Sequence, residues 1–600
     1  MKDKTGKSKR TGKAWIIWGA LILIIGLSLL ELGQHRVFGW ILFGTLSSIW
    51  LVIRIVYGHR MNGTIRRLMI PILIITTGVV LFVSRPVERA VPAVRGENGG
   101  ATDVVHIAQG DVTGVKTADG KVEVYAGIPY AKPPVGDLRF KEPVPADGWE
   151  GTLAADHFGP MSMQTRNSTI YSSLAQIIGY HDYRITFEDN YLQPVSEDSL
   201  YLNIWKPAGD VSNLPVLVYI HGGVLQTGQP WYEDYSGEGL AREGVIVVNM
   251  AYRLGIFGYF ADEELAEESP NHTTGNYGML DQILALEWVR DNIASFGGDP
   301  DNVTLSGESA GSACVSALCT SPLAKGLFKR VVGESSTITS PKPTHSFRTM
   351  EEALEAGRET KERFHVSNMA ELRALPADKI VGELNIHHHM TIDGYALTET
   401  PYESYAKGIH NEEAILQGYN LDEAGPFILF DQANLKNYEQ KIRDSFDGDY
   451  ADRILKLYPA STDEEAKRNW NEIYTVVLFT YGHYCWERQA LSNGIPTYVY
   501  HFTKTNGRLG NWHSGEEVYL YGNIPAGSKL YDESDRKLSR NMVQYFRNFI
   551  NDGDPNGDGL PYWSPSKGEN QVLEFGEEII TKETPYLELY QILDEYYGFR

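Results

Sequence analysis

Cysteine is nearly absent: Cys314, Cys319 and Cys485 are the only three in 600 residues. So odd and sparse a set is no disulfide framework, and Cys314 and Cys319 read as small core residues on a helix. Basic residues are scarce beyond the N-terminus. Residues 1–90 hold 13 Lys/Arg against 3 Asp/Glu; of the totals of 54 and 77, that leaves 41 against 74 for the rest. A body this acidic repels phosphate backbones, which excludes nucleic acid as a partner; acidity alone speaks for solubility, not for a substrate. Metal-ligand spacing is missing too. His387, His388 and His389 are consecutive, so their side chains diverge, and no spaced carboxylate or cysteine completes a site. The run Asp552–Asp558 resembles the start of a calcium loop, but its twelfth position is Trp563 where the ion needs a bidentate Glu. No metal is expected. Disorder is excluded by 42% hydrophobic residues, including 12 Trp, 35 Tyr and 21 Phe.

What the sequence does have is apolar runs at its start. Charge-free runs cover 14–30, Val37–Val52 and Leu68–Val83, within expected spans of about 14–31, 37–57 and 68–83, each run near the lower length limit of a membrane span. A cleaved signal peptide competes for the first run, but no small-residue cleavage site follows it and two more apolar runs do. Lys2, Lys4, Lys7, Lys9, Arg10 and Lys13 precede the first run, and Arg54, Arg60, Arg66 and Arg67 lie between the second and third; the intervening loop has only Arg36. The positive-inside rule then sets the N-terminus in the cytoplasm and everything after Arg85 outside. The expected layout is a three-helix membrane anchor over 1–83, a Pro/Gly-bearing linker over 84–102 and a catalytic body over 103–600. The chain is thus expected in the cell membrane, multi-pass, with its body extracytoplasmic.

In the body, short β-branched runs alternate with helical stretches, the pattern of an α/β fold on a mostly parallel sheet. Leu214–Ile220 reads as a buried strand entering His221-Gly222-Gly223. A helix marked by Leu280, Ile283, Leu284 and Trp288 stops at Phe296-Gly297-Gly298-Asp299-Pro300. The strand Val303–Leu305 then runs into Gly307-Glu308-Ser309-Ala310-Gly311. A serine hydroxyl becomes a nucleophile when a base takes its proton and its Oγ stands clear of the backbone. Glycine on both flanks permits the sharp strand-to-helix turn that does this. The amides of Gly222, Gly223 and Ala310 are candidates for an oxyanion hole.

Several further segments together carry a resemblance. They are Tyr125–Phe140 with Gly127-Ile128-Pro129-Tyr130-Ala131; Glu197-Asp198-Ser199-Leu200-Tyr201-Leu202-Asn203-Ile204; Gly275–Leu280; Phe296–Gly311; and Gly553-Asp554-Pro555-Asn556. In this order they resemble the type-B carboxylesterase/cholinesterase family, over roughly 103–600. The resemblance implies the α/β-hydrolase fold and a triad in the order Ser, acid, His. The family's acid lies in an Asp-Glu-Gly turn after a strand, which implies Glu423 in Asp422-Glu423-Ala424-Gly425; the inserted Ala424 leaves Asp422 as an alternative. The family's His-x-x-Glu turn implies His513. Arg139 with Glu197, and Arg253 with Asp281, match the family's structural ion pairs. Val224 stands where the family has its third oxyanion-loop glycine. Ser162 and Ser199 stand at the two ends of its first disulfide, so the loop between them is expected to be untethered.

The implied function is serine carboxylic ester hydrolysis through an acyl-enzyme, with a small-molecule ester as substrate and no cofactor. No Trp lies between Glu188 and Ser199, where cholinesterases hold the quaternary ammonium; counting back ten from Ser199 gives Asp189, and Tyr191 is the one aromatic nearby. Neutral short-chain or aryl esters are therefore expected over choline esters. Two other functions fit the same chain: a catalytically silent, cholinesterase-like binding or adhesion protein, and a membrane acyltransferase that discharges the acyl-enzyme onto an alcohol.

Overall fold

In the computed structural model the described residues are 8–32, 35–58, 60–85, 91, 93–94, 100–165, 194–343, 347–383, 386–505 and 510–599. Lys2, Lys4, Lys7, much of the expected linker, Asp189 and Tyr191 lie outside them. The chain divides into two compact units, one built on Met1–Ala90 and one on Val91–Thr165 with Val195–Arg600.

The first unit contains α1 (Ser8–Leu32), α2 (Val37–Val52, extended by a π turn over Ile53–Tyr57) and α3 (Gly63–Ser84). Glycines allow the close approaches: a Cβ on Gly26 would lie 2.4 Å from the Phe43 ring, and one on Gly39 would lie 2.3 Å from Ser84. The outward faces stay apolar, with Ile17, Ile55, Ile75 and Phe82 all more than 60% exposed. Three spans were expected; among the described residues two helices, Val37–Tyr57 and Gly63–Ser84, are long and apolar enough to cross a bilayer. The apolar part of α1, Ile16–Glu31, is shorter. Its charge-free run stops at Glu31, while the N-terminal end of the helix carries Lys9, Arg10 and Lys13.

The second unit is built on an eleven-stranded sheet. In chain order its strands are β1 (Val115–Lys116), β2 (Val122–Pro129), β3 (Tyr201–Pro207), β4 (Leu214–Ile220), β5 (Ile246–Met250), β6 (Gly298–Glu308), β7 (Arg330–Glu334), β8 (Ala414–Asn420), β9 (Thr497–Phe502), β10 (Gln571–Phe575) and β11 (Ile579–Glu583). In space they run β11-β10-β9-β8-β7-β6-β4-β5-β3-β2-β1. Every pairing from β10 to β5 is parallel, and the outer pairings are antiparallel. A parallel sheet is covered on both faces, so its strands are apolar throughout. In β4, Val216, Val218 and Ile220 join a core with the helices Tyr277–Asn292 and Ala310–Thr320. Leu217 and Tyr219 point the other way, into a core shared with the helix Glu533–Asp552.

The segment expected to link the units already belongs in part to the body. Val94 is buried, its N–H donates to Asp156 O, and Lys116 N–H donates to Gly100 O. His388 and Trp563, from the two segments weighed as metal sites, pack into the interior. His388 is buried against Phe260 with Nε2 bonded to Thr360 Oγ1, and Trp563 sits edge-on to Tyr545 and Phe575 in the core.

Candidate active site

Because β4, β6, β8 and β9 are parallel, the loops leaving their C-terminal ends meet along one edge of the sheet. Those loops carry Gly222, Ser309, Glu423 and His513. Ser309 lies between β6 and the helix Ala310–Thr320 with φ 56° and ψ −126°, a strained conformation that the sharp turn demands. The flanking glycines are steric necessities. A Cβ on Gly307 would come 2.5 Å from the carbonyl carbon of Gly311, and one on Gly311 would come 2.0 Å from Ile220 O. The turn is tied to β7 by the Ser309 N–H, which donates to Glu334 O at 2.8 Å.

Ser309 Oγ donates to His513 Nε2 at 2.8 Å, and His513 Nδ1–H donates to Glu423 Oε2 at 2.6 Å. The two bonds require the same tautomer, with its proton on Nδ1. Glu423 is wholly buried, and its other oxygen accepts the Asn420 N–H at 2.6 Å. Asp422, the alternative acid, points elsewhere: Asn471 Nδ2 donates to its carboxylate at 2.5 Å and Gly425 N–H at 3.1 Å. Burial pushes the Glu423 carboxyl up to about 8, while the Asn420 amide and the Ser335 hydroxyl favour its charged form. An imidazolium formed at His513 would hold the carboxylate charged by direct attraction.

A second carboxylate reaches the imidazole. Glu308 Oε1 lies 3.2 Å from His513 Nε2 and accepts from Ser514 Oγ at 2.6 Å. Burial raises its carboxyl to about 7, against the pull of His513. Its position in Gly307-Glu308-Ser309 was visible in the sequence; its aim at the base was not. Asn420 was likewise missed: besides holding Glu423, its Nδ2 donates to Trp512 O at 2.9 Å, joining the strand before Glu423 to the loop that carries His513.

Gly222 approaches Ser309 so closely that a Cβ there would sit 2.8 Å from Ser309 Cβ and 2.7 Å from Glu308 O. Gly223 has φ 107°. Ala310 is the first residue of its helix, where N–H groups have no intrahelical acceptor. The loop beyond is strained, with Val224 and Leu225 both left-handed at φ 58° and 59°. His221 braces it: the ring stacks on Tyr252 with centroids 4.6 Å apart, and Nδ1–H donates to Gly222 O at 2.8 Å. Burial lowers His221 to about 4, so its ring is neutral. Two aromatic rings flank His513, Phe479 with its centroid 4.7 Å from that of the imidazole and Phe427 at 5.1 Å. Phe427 is 47% exposed.

The supporting pairs are in contact. Arg253 meets Asp281 in a buried fork with both distances 2.8 Å, and Arg139 meets Glu197 at 2.5 Å through Nε and NH2. One expectation is corrected. The ends of the loop between Ser162 and Ser199 are tied, because the two buried hydroxyls lie 3.0 Å apart and Ser162 Oγ also donates to Tyr252 O at 2.7 Å.

Residues 101–592 match the Carboxylesterase family. Carboxylesterase 1C of Rattus norvegicus is 33% identical over 485 residues, covering 76% of this chain and 85% of that protein. The fumonisin B1 esterase of Sphingopyxis macrogoltabida is 31% identical over 494 residues, covering 79% and 87%. A solved carboxylesterase from Geobacillus stearothermophilus superposes with a TM-score of 0.69 at 28% identity, covering 82% of this chain and 99% of that one. The chain belongs to the carboxylesterase family: it is a carboxylic ester hydrolase with the α/β-hydrolase fold.

Proposed function

We propose that Ser309 is the nucleophile, His513 the general base and Glu423 the acid of a hydrolase for neutral short-chain or aryl esters. The observation that carries this reading is the unbroken chain from Ser309 Oγ through the imidazole to Glu423, at 2.8 and 2.6 Å. His513 Nε2 takes the Ser309 proton as Oγ attacks the ester carbonyl, and the oxyanion is held by the amides of Gly222, Gly223 and Ala310. Loss of one such donor costs on the order of 10²–10³ in rate. The imidazolium then gives its proton to the departing alkoxide, and the acyl group stays on Ser309. Water, deprotonated by the same imidazole, attacks the acyl carbonyl; Ser309 regains the proton and the acid leaves. Glu423 holds the tautomer and offsets the imidazolium charge without being protonated itself.

Ser309→Ala is expected to lower kcat for p-nitrophenyl butyrate by at least about 10⁴ and to abolish labelling by an organophosphonate. Retained turnover or labelling would refute the assignment and favour a silent binding protein.

The neutral-ester preference rests on the missing Trp before Ser199. A cation–π contact is worth up to about 2 kcal/mol when desolvated, or roughly thirtyfold in preference. At physiological salt, where the field of the acidic body is screened, kcat/KM for 3,3-dimethylbutyl butyrate should equal or exceed that for butyrylcholine. A choline preference above about tenfold would show that another group holds the cation. The N-terminal helices are proposed to anchor this hydrolase in the cell membrane with its body outside, supported by the two apolar helices of spanning length.

A further inference from the structure

The turn that carries the acid has one residue more than the family pattern, Ala424 between Glu423 and Gly425, and so one more amide to satisfy in a buried place. Ala424 is wholly buried, and its N–H donates to Thr475 Oγ1 at 3.1 Å; Thr475 is wholly buried as well. One helical turn earlier, Asn471 Nδ2 donates to Asp422 Oδ1 at 2.5 Å. Asn471 and Thr475 are four residues apart on the helix Asp463–Thr475 and so share a face. That face grips the turn on both sides of Glu423. Directly after Thr475 the helix enters a π turn, Val476–Thr480, and there supplies Phe479, whose ring lies against His513. Isolated π turns are costly distortions that persist where a site needs them. This one lets a single helix hold the acid's turn with Thr475 and brace the base with Phe479.

We infer that Thr475 is a positioning residue for the Glu423–His513 pair, through the hydrogen bond it accepts from the Ala424 amide; the inference rests on the triad reading above. Without that acceptor the buried amide has no partner and the turn must move toward one. Displacement of a catalytic group by about 1 Å costs on the order of a hundredfold in rate.

The test compares Thr475→Val, which keeps the shape and removes the acceptor, with Thr475→Ser, which keeps the acceptor, both in the full-length chain. For p-nitrophenyl butyrate, Thr475→Val should lower kcat about tenfold or more with KM unchanged within about twofold. Thr475→Ser should return kcat to within about threefold of the parent. A parent-like kcat in Thr475→Val, equal losses in both variants, or a loss carried by KM would overturn the inference. Should Thr475→Val fail to fold, Asn471→Leu cuts the neighbouring tie at a half-buried position; a fall in kcat alone supports the clamp, and an unchanged kcat sinks it. Ser309→Ala, assayed alongside, tests the triad separately: activity lost there and unchanged in Thr475→Val refutes this inference alone.

Discussion

Behind Ser309, among the described residues, the buried carboxyls of Glu308, Glu334, Glu423, Glu516 and Glu517 are linked mainly through hydroxyls. Ser306 and Tyr521 donate to Glu334 at 2.9 and 3.1 Å, Ser335 and Tyr500 to Glu516 at 3.0 and 3.3 Å, and Tyr219 to Glu517. Burial raises Glu308 and Glu516 to about 7, and Glu334 and Glu517 well above the ordinary carboxylate value. The sign of the consequence follows from proton counting. Above about pH 4.5 the unfolded chain has lost protons that these folded carboxyls still hold, so stability falls as pH rises toward their folded values. Glu517 lies outside the proposed triad, and glutamine keeps an acceptor for Tyr219, so Glu517→Gln should remove part of this loss. Thermal melts of the variant should match the parent within about 1 °C at pH 5 and exceed it by about 2 °C or more at pH 9. An advantage no larger at pH 9 than at pH 5 would show that Glu517 carries no such penalty. That Ser309, Glu423 and His513 should meet was legible in the sequence, because a motif, a preceding strand and a chain order mark each of them. The acid cluster was not, although Glu308 and Glu516 sit inside those same motifs. Its chemistry arises where β6, β7 and the loop after β9 converge, and no local spacing encodes that.

The strands that deliver the site were legible as short apolar runs bounded by glycine, because a doubly covered parallel strand has no polar face to interrupt it. Their exact extents were less so. Val303–Leu305 is the apolar centre of β6, which the sheet pairing extends to Gly298–Glu308. The π turn at Val476–Thr480 leaves no mark in composition; it lies directly after Thr475, which accepts from the Ala424 amide, and contains Phe479, which packs on His513. The Ser162–Ser199 contact shows the same limit. From the sequence, loss of two cysteines reads as loss of a tether. In the structure the same pair of positions still meets, with Met161–Ser162 running parallel to Val195–Ser196, so the covalent bond is replaced by a hydrogen bond while the strand pairing persists. The left-handed Val224 and Leu225 are a comparable case at the oxyanion loop. A β-branched residue tolerates φ 58° only where its surroundings impose it, and here Gln226 and Thr227 N–H both close back onto Gly223 O. The loop keeps the shape of a glycine turn without the third glycine.

At the scale of the whole molecule, charge and hydropathy divide the chain in the same place. The first 90 residues carry an excess of ten positive charges and the three apolar runs; the remainder carries an excess of 33 negative charges and the catalytic site. Outward-facing side chains on α1, α2 and α3 include many isoleucines, leucines and valines with Phe82 and Trp18, surfaces that water disfavours and lipid accepts. Each Arg or Lys forced to the bilayer centre would cost roughly 2.5–3.5 kcal/mol, and the basic residues avoid that depth. Lys9, Arg10 and Lys13 stand before the first apolar run, and Arg54, Arg60, Arg66 and Arg67 between the second and third, with Arg36 alone in the loop between. Two basic clusters on one side and a single Arg on the other are the pattern behind the proposed orientation: a cytoplasmic N-terminus and, with α1 crossing as well as the two helices of spanning length, an external body. Were α1 a cleaved signal instead, the mature chain would begin after it and the proposed anchor would consist of the remaining two helices. Protease added to intact cells should therefore digest the body, while fragments from the first 80 or so residues stay membrane-bound and survive a carbonate wash. N-terminal sequencing of that bound material separates a three-helix anchor from a processed one. A body that resists digestion until the cells are lysed would reverse the orientation, and a full-length chain released by carbonate would remove the anchor altogether.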